Sequence, residues 1–298
     1  MMPEFLTTLV TKTKTSPANS LGLGFFLFTL VFLLRLFALS RFAGSPLSGD
    51  MAFYDAWAHR ILGGALTDGR AFYALPLYAY WLAGIHAVFG GGGFVPGLLQ
   101  GLADAGTALL LYKIVVHSSE NFGAKVTGTL CALTWAFYLP AQAFSIVQMP
   151  ATLGVFVFWL VVWQIIKRTE PPRFVVYFLL GLLVGVTAMG IATILVLVPM
   201  LFAALIWRWQ LRSRCLALSF VILFGGVFLG TAPCWLHNYF VAHDRVFLSA
   251  HSGINFWIGN NPGATGYPSF GELRAGQAEL LEDSIALEIG RASCRERV

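Results

Sequence analysis

The sequence predicts an all-α protein that crosses a membrane several times. Three observations favour this fold class: 57% of the 298 residues are hydrophobic, only 11% are charged, and long apolar runs recur along the chain. Soluble domains contain about 25% charged residues, so this chain has too few charges to cover a water-exposed surface. The net charge of +5 is spread along the chain rather than gathered in one patch, and we therefore expect no nucleic-acid partner.

Seven apolar runs are the predicted spans. Residues 21–40 form the first, which at about 1.5 Å per residue matches the roughly 30 Å of bilayer hydrocarbon. We expect a cytoplasmic N-terminus at residues 1–20, a transmembrane region at 21–236 with an outer loop at 42–93, and an outer segment at 237–288. The remaining spans are residues 94–116, 124–139, 151–166, 174–189, 191–207 and 215–235.

Lysine and arginine side chains in the short loops set the predicted orientation. Lys12 and Lys14 precede the first run, and the loops HSSENFGAK, KRTEPPR and RWQLRSR each carry basic residues. Short basic loops stay on the cytoplasmic side of a membrane. All three loops share that side with the N-terminus only if the aromatic run Ala71–Phe89 does not cross. We therefore predict a juxtamembrane or re-entrant helix at Ala71–Phe89.

Shorter elements are predicted outside the spans. Met51–Leu62 has the periodicity of an amphipathic helix, with Ser48 or Asp50 near its start. Val246–Ser249 and Ile254–Ile258 have the composition of short strands around a turn.

The end of the chain has an unusual sequence. Its last ten residues, IGRASCRERV, correspond to the translation of a common sequencing-library adapter. We therefore expect residues 289–298 to be an artefact and the natural chain to continue further. The four cysteines show no CxxC spacing, so neither a disulfide framework nor a cysteine metal site is expected.

Asp50 is the first candidate for chemistry. It lies just beyond the first predicted span, at the start of the predicted amphipathic helix. A carboxylate at this position can take the proton of an acceptor hydroxyl or hold a metal. It can equally cap the helix N-terminus, which is a purely structural role.

Other residues of the first outer loop are also candidates. Asp55 and His59 are four residues apart and share a helical face, so they are either two ligands of a divalent metal or part of a solvated polar face. Tyr54 is most simply an anchor at the membrane interface. Arg70 is either the partner of a lipid phosphate or a surface cation.

Arg35 and Asp104 are ionisable residues inside predicted spans, where such groups are functional candidates by default. A pair between them would be the centre of an alternative function, that of a transporter or lipid flippase. A noncatalytic membrane scaffold is a third hypothesis.

The segment after the last span is rich in aromatic, glycine and asparagine residues. It begins with His237 and Asn238 and continues through SGINFWIGNNPGATGYP, which contains Asn255 and Asn260. One interpretation is a set of turns with an interfacial anchor. The other is a polar wall for a sugar, in which asparagine amides bind hydroxyls and the tryptophan stacks on the ring. No glycine-rich phosphate loop or HExxH motif is present.

Four segments carry a family resemblance when they are taken in order: Asp50 with Tyr54, PLYAYWLAGIHAVFG, LLQGLADAGTALLLY, and WLHNYFVAHDRV followed by SGINFWIGNNPGATG. Together they resemble the bacterial polyprenyl-phosphate-dependent glycosyltransferases of the GT-C fold. That family includes protein O-mannosyltransferase-like and aminoarabinose-transferase-like enzymes. The chain departs from the family pattern at Met51, Ala151 and His237, where many relatives carry Glu, an acid and Arg.

The resemblance implies a GT-C-like helical bundle in the bacterial inner membrane, with its active site facing the periplasm. It implies transfer of a sugar from a polyprenyl-phosphate donor to a hydroxyl on a lipid, glycan or protein, with Asp50 as general base and inversion at the sugar carbon. Beyond the lipid-linked donor no cofactor is assigned, and a divalent metal is compatible. The chain is expected to be an N-terminal part of a longer enzyme. The expected substrate-binding residues are Tyr54, Asp55, His59, Arg70, His237, Asn238, Asn255 and Asn260.

Overall fold

The computed structural model describes residues 17–42, 44–67, 69–119, 123–209, 213–251 and 260. Within these residues every regular element is helical, which confirms the predicted all-α class. The α-helices are α1 (Pro17–Phe42), α2 (Asp50–Leu62), α3 (Leu77–Phe89), α4 (Phe94–Ser118), α5 (Gly123–Phe137), α6 (Leu139–Ile146), α7 (Ala151–Ile166), α8 (Phe174–Ala188), α9 (Leu197–Trp209), α10 (Ser213–Gly230) and α11 (Ala232–Leu236). A 3-10 helix at Ala192–Val196 and a π-helix at His237–Val241 complete the set.

Two of the described helices are long and apolar enough to cross a membrane: α1, over Leu21–Phe42, and α4. Two bent helix pairs raise this number to four, since α5 meets α6 at 56° and Arg214–Gly230 meets Ala232–Val241 at 55°. The other apolar helices have 10–17 residues. The structure is therefore consistent with a helical membrane protein, and among the described residues two to four helices or bent pairs, rather than the seven predicted, are long and apolar enough to span a membrane.

Proline explains both bends. Pro140 and Pro233 lie in the first turn of α6 and of α11, respectively. A proline has no N–H for the helix that precedes it, and its ring collides with the preceding turn. Pro233 therefore divides the predicted span 215–235 into two helices, whereas Pro140 lies just beyond the predicted span 124–139 and separates α5 from α6.

The chain divides into two compact units. The first unit contains α1 and α4 to α7, and the second contains α2, α3 and the chain from residue 170 onward.

In the first unit, α1 and α4 run antiparallel. Gly97, near the start of α4, faces Leu39 near the end of α1, and Gly24, near the start of α1, faces Tyr112 near the end of α4. The chain therefore leaves this unit after residue 47 and returns at residue 92 at the same end. That Ala71–Phe89 does not carry the chain across the membrane stays a prediction.

Positively charged side chains lie at the opposite end of the first unit. Lys167 follows the last turn of α7, close to Arg168 and to Lys113 of α4. Burial lowers the pKa of the Lys167 amine, and the charges of Arg168 and Lys113 lower that pKa further. Lys113, Lys167 and Arg168 therefore lie together at one end of this unit.

Arg35 and Asp104 form a buried ion pair in the first unit, with Nε of the arginine 2.7 Å from Oδ2 of the aspartate. The guanidinium also donates to the carbonyl oxygens of Ala136 at 2.7 Å and Trp135 at 3.1 Å. The Trp135 indole N–H donates to the other Asp104 oxygen at 3.1 Å. Since Pro140 cannot bond the carbonyl of Ala136, Arg35 satisfies the carbonyl that this helix break releases.

In the second unit, α8 and α10 pack backbone against backbone. Gly181 and Gly185 of α8 face the carbonyl groups of Leu223 and Val227, while Gly226 and Gly230 of α10 face α8 in turn. A Cβ atom on Gly230 would lie 2.6 Å from the carbonyl oxygen of Leu182. Small residues at helix contacts permit this close approach in membrane proteins.

The polar part of the second unit confirms one predicted element and corrects another. The amphipathic helix predicted at Met51–Leu62 is α2, and it packs against α3 through an edge-to-face contact of Tyr54 and Tyr78. Val246–Ser249, predicted as a strand, is irregular because its carbonyl groups bond a side chain instead of a neighbouring strand. The second predicted strand, Ile254–Ile258, lies outside the described residues.

Candidate functional site

Asp50 is the first residue of α2 and its side chain is exposed. Gly49 precedes it with a φ of 55°, a left-handed conformation that glycine adopts without strain. Neither Ser48 nor Asp50 supplies a side-chain hydrogen bond that caps the helix. The capping role considered for Asp50 is therefore not seen, and its carboxylate is turned outward at the positive end of the helix dipole.

Three ionisable side chains respond to the charge of Asp50. Burial raises the pKa of Tyr54 to about 12, and the Asp50 carboxylate contributes to the increase. The pKa of Tyr73 is raised by the same two causes in the same order. Burial lowers the pKa of His251, while the carboxylate partly offsets that decrease. We call Asp50, Tyr54, Tyr73 and His251 the Asp50 cluster.

A backbone pairing brings His251 into this cluster. The N–H of Ala250 donates to the carbonyl of Phe72 at 2.8 Å, and the N–H of His251 donates to that of Tyr73 at 3.0 Å. The rings of Tyr73 and His251 lie 4.7 Å apart. Sequence reasoning missed both residues, because each lies next to a motif and only the pairing of two distant loops shows that they meet.

A pocket of about 100 Å³ opens beside this cluster, between α2 and the following loop. Aromatic rings form much of its wall, and Trp57 and Phe72 are 6.0 Å apart there. Arg60 supplies the positive charge. The lining residues are Phe53, Trp57, Arg60, Ala65, Thr67, Ala71, Phe72, Tyr73 and Ala74.

Asn238 holds the loops behind the pocket in place. Its side chain is fully buried, and Oδ1 accepts the N–H of Phe72 at 3.0 Å. Nδ2 donates to the carbonyls of Val246 at 3.0 Å and Leu248 at 3.3 Å. This amide is therefore committed to the protein backbone and positions the loops.

His237 stacks on Phe72, with the ring centroids 4.3 Å apart. Its Nδ1 lies 3.3 Å from Oδ1 of Asn238, while its buried Nε2 has no hydrogen-bond partner. His237 thus lies directly behind a wall residue of the pocket.

Asp55 and His59 lie apart from the Asp50 cluster on α2. Asp55 comes five positions after Asp50, which places the two carboxylates about 140° apart around the helix axis. Asp55 Oδ1 is 3.1 Å from Nε2 of His86, and its Oδ2 is 3.5 Å from Nδ1 of His59. His86 belongs to α3, so the structure adds to the predicted pair a third residue that its spacing in sequence did not indicate.

The other predicted residues are placed as follows. Tyr54 is buried in the contact between α2 and α3. Arg70 is exposed and does not line the pocket, where Arg60 lies instead. Asn260 is exposed, and Asn255 lies outside the described residues.

Three comparisons, with protein-family models, with curated proteins and with solved structures, found no match to this chain. The functional argument therefore depends on the residues and on the geometry of the site.

Proposed function

We propose that this protein is a membrane glycosyltransferase that moves a sugar from a polyprenyl-phosphate donor to a hydroxyl group on a lipid, glycan or protein. The observation that carries the proposal is the exposed Asp50 carboxylate, which acts on the pKa values of Tyr54, Tyr73 and His251. A pocket with aromatic walls and one arginine lies beside it. The resemblance of four sequence segments to GT-C glycosyltransferases supports the same activity.

Asp50 is suited to act as a general base. Its carboxylate accepts the proton of the acceptor hydroxyl while the hydroxyl oxygen forms a bond to the anomeric carbon of the donor. The bond between that carbon and the phosphate oxygen breaks, and the lipid phosphate leaves with the electron pair. Because attack occurs opposite the leaving group, the configuration of the sugar carbon is inverted.

The pocket supplies two kinds of contact for the donor. Aromatic faces such as those of Trp57 and Phe72 pack against the apolar faces of a sugar ring. The guanidinium of Arg60 can bind a phosphate oxygen pair with two parallel hydrogen bonds. Arg60 replaces Arg70 in the proposed role of phosphate partner, because only Arg60 lines the pocket.

The location that we propose is the bacterial inner membrane, with the site on its outer face. The chain segment that carries Asp50 leaves the first unit at the end opposite Lys113 and Lys167. Because clustered lysine and arginine residues favour the cytoplasmic side, that segment begins outside.

The test is sugar transfer in membranes that contain the protein. Membranes from cells that express it are incubated with a panel of radiolabelled polyprenyl-phosphate sugars, and label transferred to lipid, glycan or protein is counted. Asp50→Asn is expected to reduce transfer at least about 100-fold at equal expression, because the amide cannot accept the proton. Glu170→Gln, which removes an exposed carboxylate between α7 and α8, is the matched control and should retain transfer. Full transfer by Asp50→Asn would contradict the proposal.

A further inference from the structure

A second cluster of polar side chains connects α2 to α3. Asp55 and His59 lie one helical turn apart on α2, and His86 approaches them from α3. Each side chain offers one ligand atom, and these atoms all lie within 4.8 Å of one another. The His59 and His86 rings are 5.3 Å apart.

The three residues differ in exposure in a way that suits a bound ion. The side chain of His86 is 1% exposed, that of Asp55 is 22% exposed and that of His59 is 56% exposed. His86 and Asp55 are held in place by their surroundings, whereas His59 lies on the solvent side of the cluster. An ion can therefore enter past His59 and keep one position for water.

The ligand atoms indicate which metal would bind. Two imidazole nitrogens and one carboxylate oxygen match Zn²⁺, while Mg²⁺ and Ca²⁺ prefer oxygen ligands alone. Ligands bound about 2.0–2.1 Å from a tetrahedral zinc lie roughly 3.3 Å apart. Asp55 Oδ1 and His86 Nε2, at 3.1 Å, already have this separation. The exposed His59 ring has the rotamer freedom to close the third side.

Two features near His59 favour binding. Its Nδ1 lies 2.9 Å from the backbone carbonyl oxygen of Asp55 and 3.5 Å from Oδ2 of the same residue, which keeps the ring beside the Asp55 carboxylate. Gly91 lies next to Nε2 of His59, and a Cβ atom added to this glycine would be 3.6 Å from that nitrogen. This glycine leaves space around the ring.

We propose that Asp55, His59 and His86 form a zinc site that fastens α2 to α3. This site lies on a different face of α2 from Asp50. A bound zinc would therefore affect Asp50 only by fixing the position of α2. The proposal does not depend on the activity proposed above, because zinc binding is measured without any sugar substrate.

The test measures zinc in the purified chain, prepared in detergent without a polyhistidine tag. After dialysis against Zn²⁺ and then buffer, elemental analysis is expected to find one zinc per chain, and zinc should raise the thermal unfolding temperature. Removing even a group that only orients a metal ligand weakens binding about 10- to 100-fold. We therefore expect His59→Gln and Asp55→Asn each to weaken zinc binding by at least that factor in a competition titration with a chelator.

The control is His117→Gln, which changes an exposed histidine at the end of α4, away from α2 and α3 in the sequence, whose ring packs against that of Trp163. It should bind zinc like the unchanged protein. His59 is exposed, so its variant is expected to fold, which circular dichroism checks. No zinc on the unchanged chain, or equal affinity in His59→Gln and His117→Gln, would overturn the proposal.

Discussion

The backbone N–H of His251 donates to the carbonyl of Tyr73 at 3.0 Å, and the two rings lie 4.7 Å apart. This contact joins the loop after α2 to the loop after the π-helix. It places an imidazole and a phenol within the electrostatic reach of the Asp50 carboxylate. The candidate site is therefore assembled from two loops that are far apart in the sequence.

The charge of Asp50 should be measurable on His251. Burial lowers the pKa of this imidazole and the Asp50 carboxylate raises it in part, so Asp50→Asn is expected to lower the pKa further. The measurement is an NMR titration of ¹³C-labelled histidine in the purified protein, with His251→Gln to assign the signal. Glu170→Gln should leave the titration unchanged, and an unchanged His251 pKa in Asp50→Asn would mean that the two side chains do not interact.

The lowered pKa also sets a direction for stability. Because folded His251 binds a proton less tightly than it does in the unfolded chain, the unfolded state gains more protons as the pH falls below about 6.5. The contribution of this residue therefore lowers stability toward acid pH.

Asn238 should be a structural residue, because its side chain holds the loops that lie behind the pocket. Asn238→Ala removes the acceptor for the Phe72 N–H and the donor to the Val246 and Leu248 carbonyls. Buried groups left without partners cost about 1–3 kcal/mol, so we expect a loss of that order in the free energy of unfolding. Thermal unfolding in detergent measures it. The exposed Asn260, changed to Ala, is the comparison, and equal stability of both variants would refute this role.

The effects of changing Arg35 and Asp104 on the stability of the protein should be strongly non-additive. Arg35→Leu leaves the buried Asp104 carboxylate without its main partner, which costs about 3–5 kcal/mol. Leucine at both positions removes the stranded charge, so the double variant is expected to be more stable than either single variant. A double-mutant cycle on unfolding temperature checks this expectation, and additive single effects would contradict it.

Two neighbouring glycines should respond in opposite ways to one added methyl group. A Cβ atom on Gly226 would collide with the backbone of α8 at Phe178 and Leu182, whereas a Cβ atom on Gly225 meets nothing within 4 Å. Gly226→Ala is therefore expected to lose about 1–3 kcal/mol or more from overpacking. Gly225→Ala should match or exceed the stability of the unchanged protein. Unfolding temperatures of the two variants provide the comparison.

The antiparallel arrangement of α1 and α4 predicts opposite sides for two serines. Ser45 follows α1, and Ser119 follows α4 at the end where Lys113 lies. In a cysteine-free background, a membrane-impermeant maleimide should label Ser45→Cys in intact cells and label Ser119→Cys only after permeabilisation. Labelling of both in intact cells would refute the predicted topology.

Much of the helical framework could be predicted from local sequence. The periodicity of Met51–Leu62 predicted α2, and two ionisable residues in apolar runs, Arg35 and Asp104, do form a pair. The number of full-length spans was less predictable. The predicted spans 151–166, 174–189 and 191–207 correspond to apolar helices of only 10–17 residues, and Pro233 bends the predicted span 215–235.

The sequence by itself determined that this is a helical membrane protein and that Asp50 begins a helix beyond the first span, because hydropathy and helical period are local properties. Only the tertiary structure decided which residues surround Asp50 and Asp55. Tyr73 with His251, and His86 with Asp55, meet through packing between distant segments. Likewise, the amide of Asn238 could bind a sugar or the backbone with equal chemistry, and only the position of Phe72 in the fold directs it to the backbone.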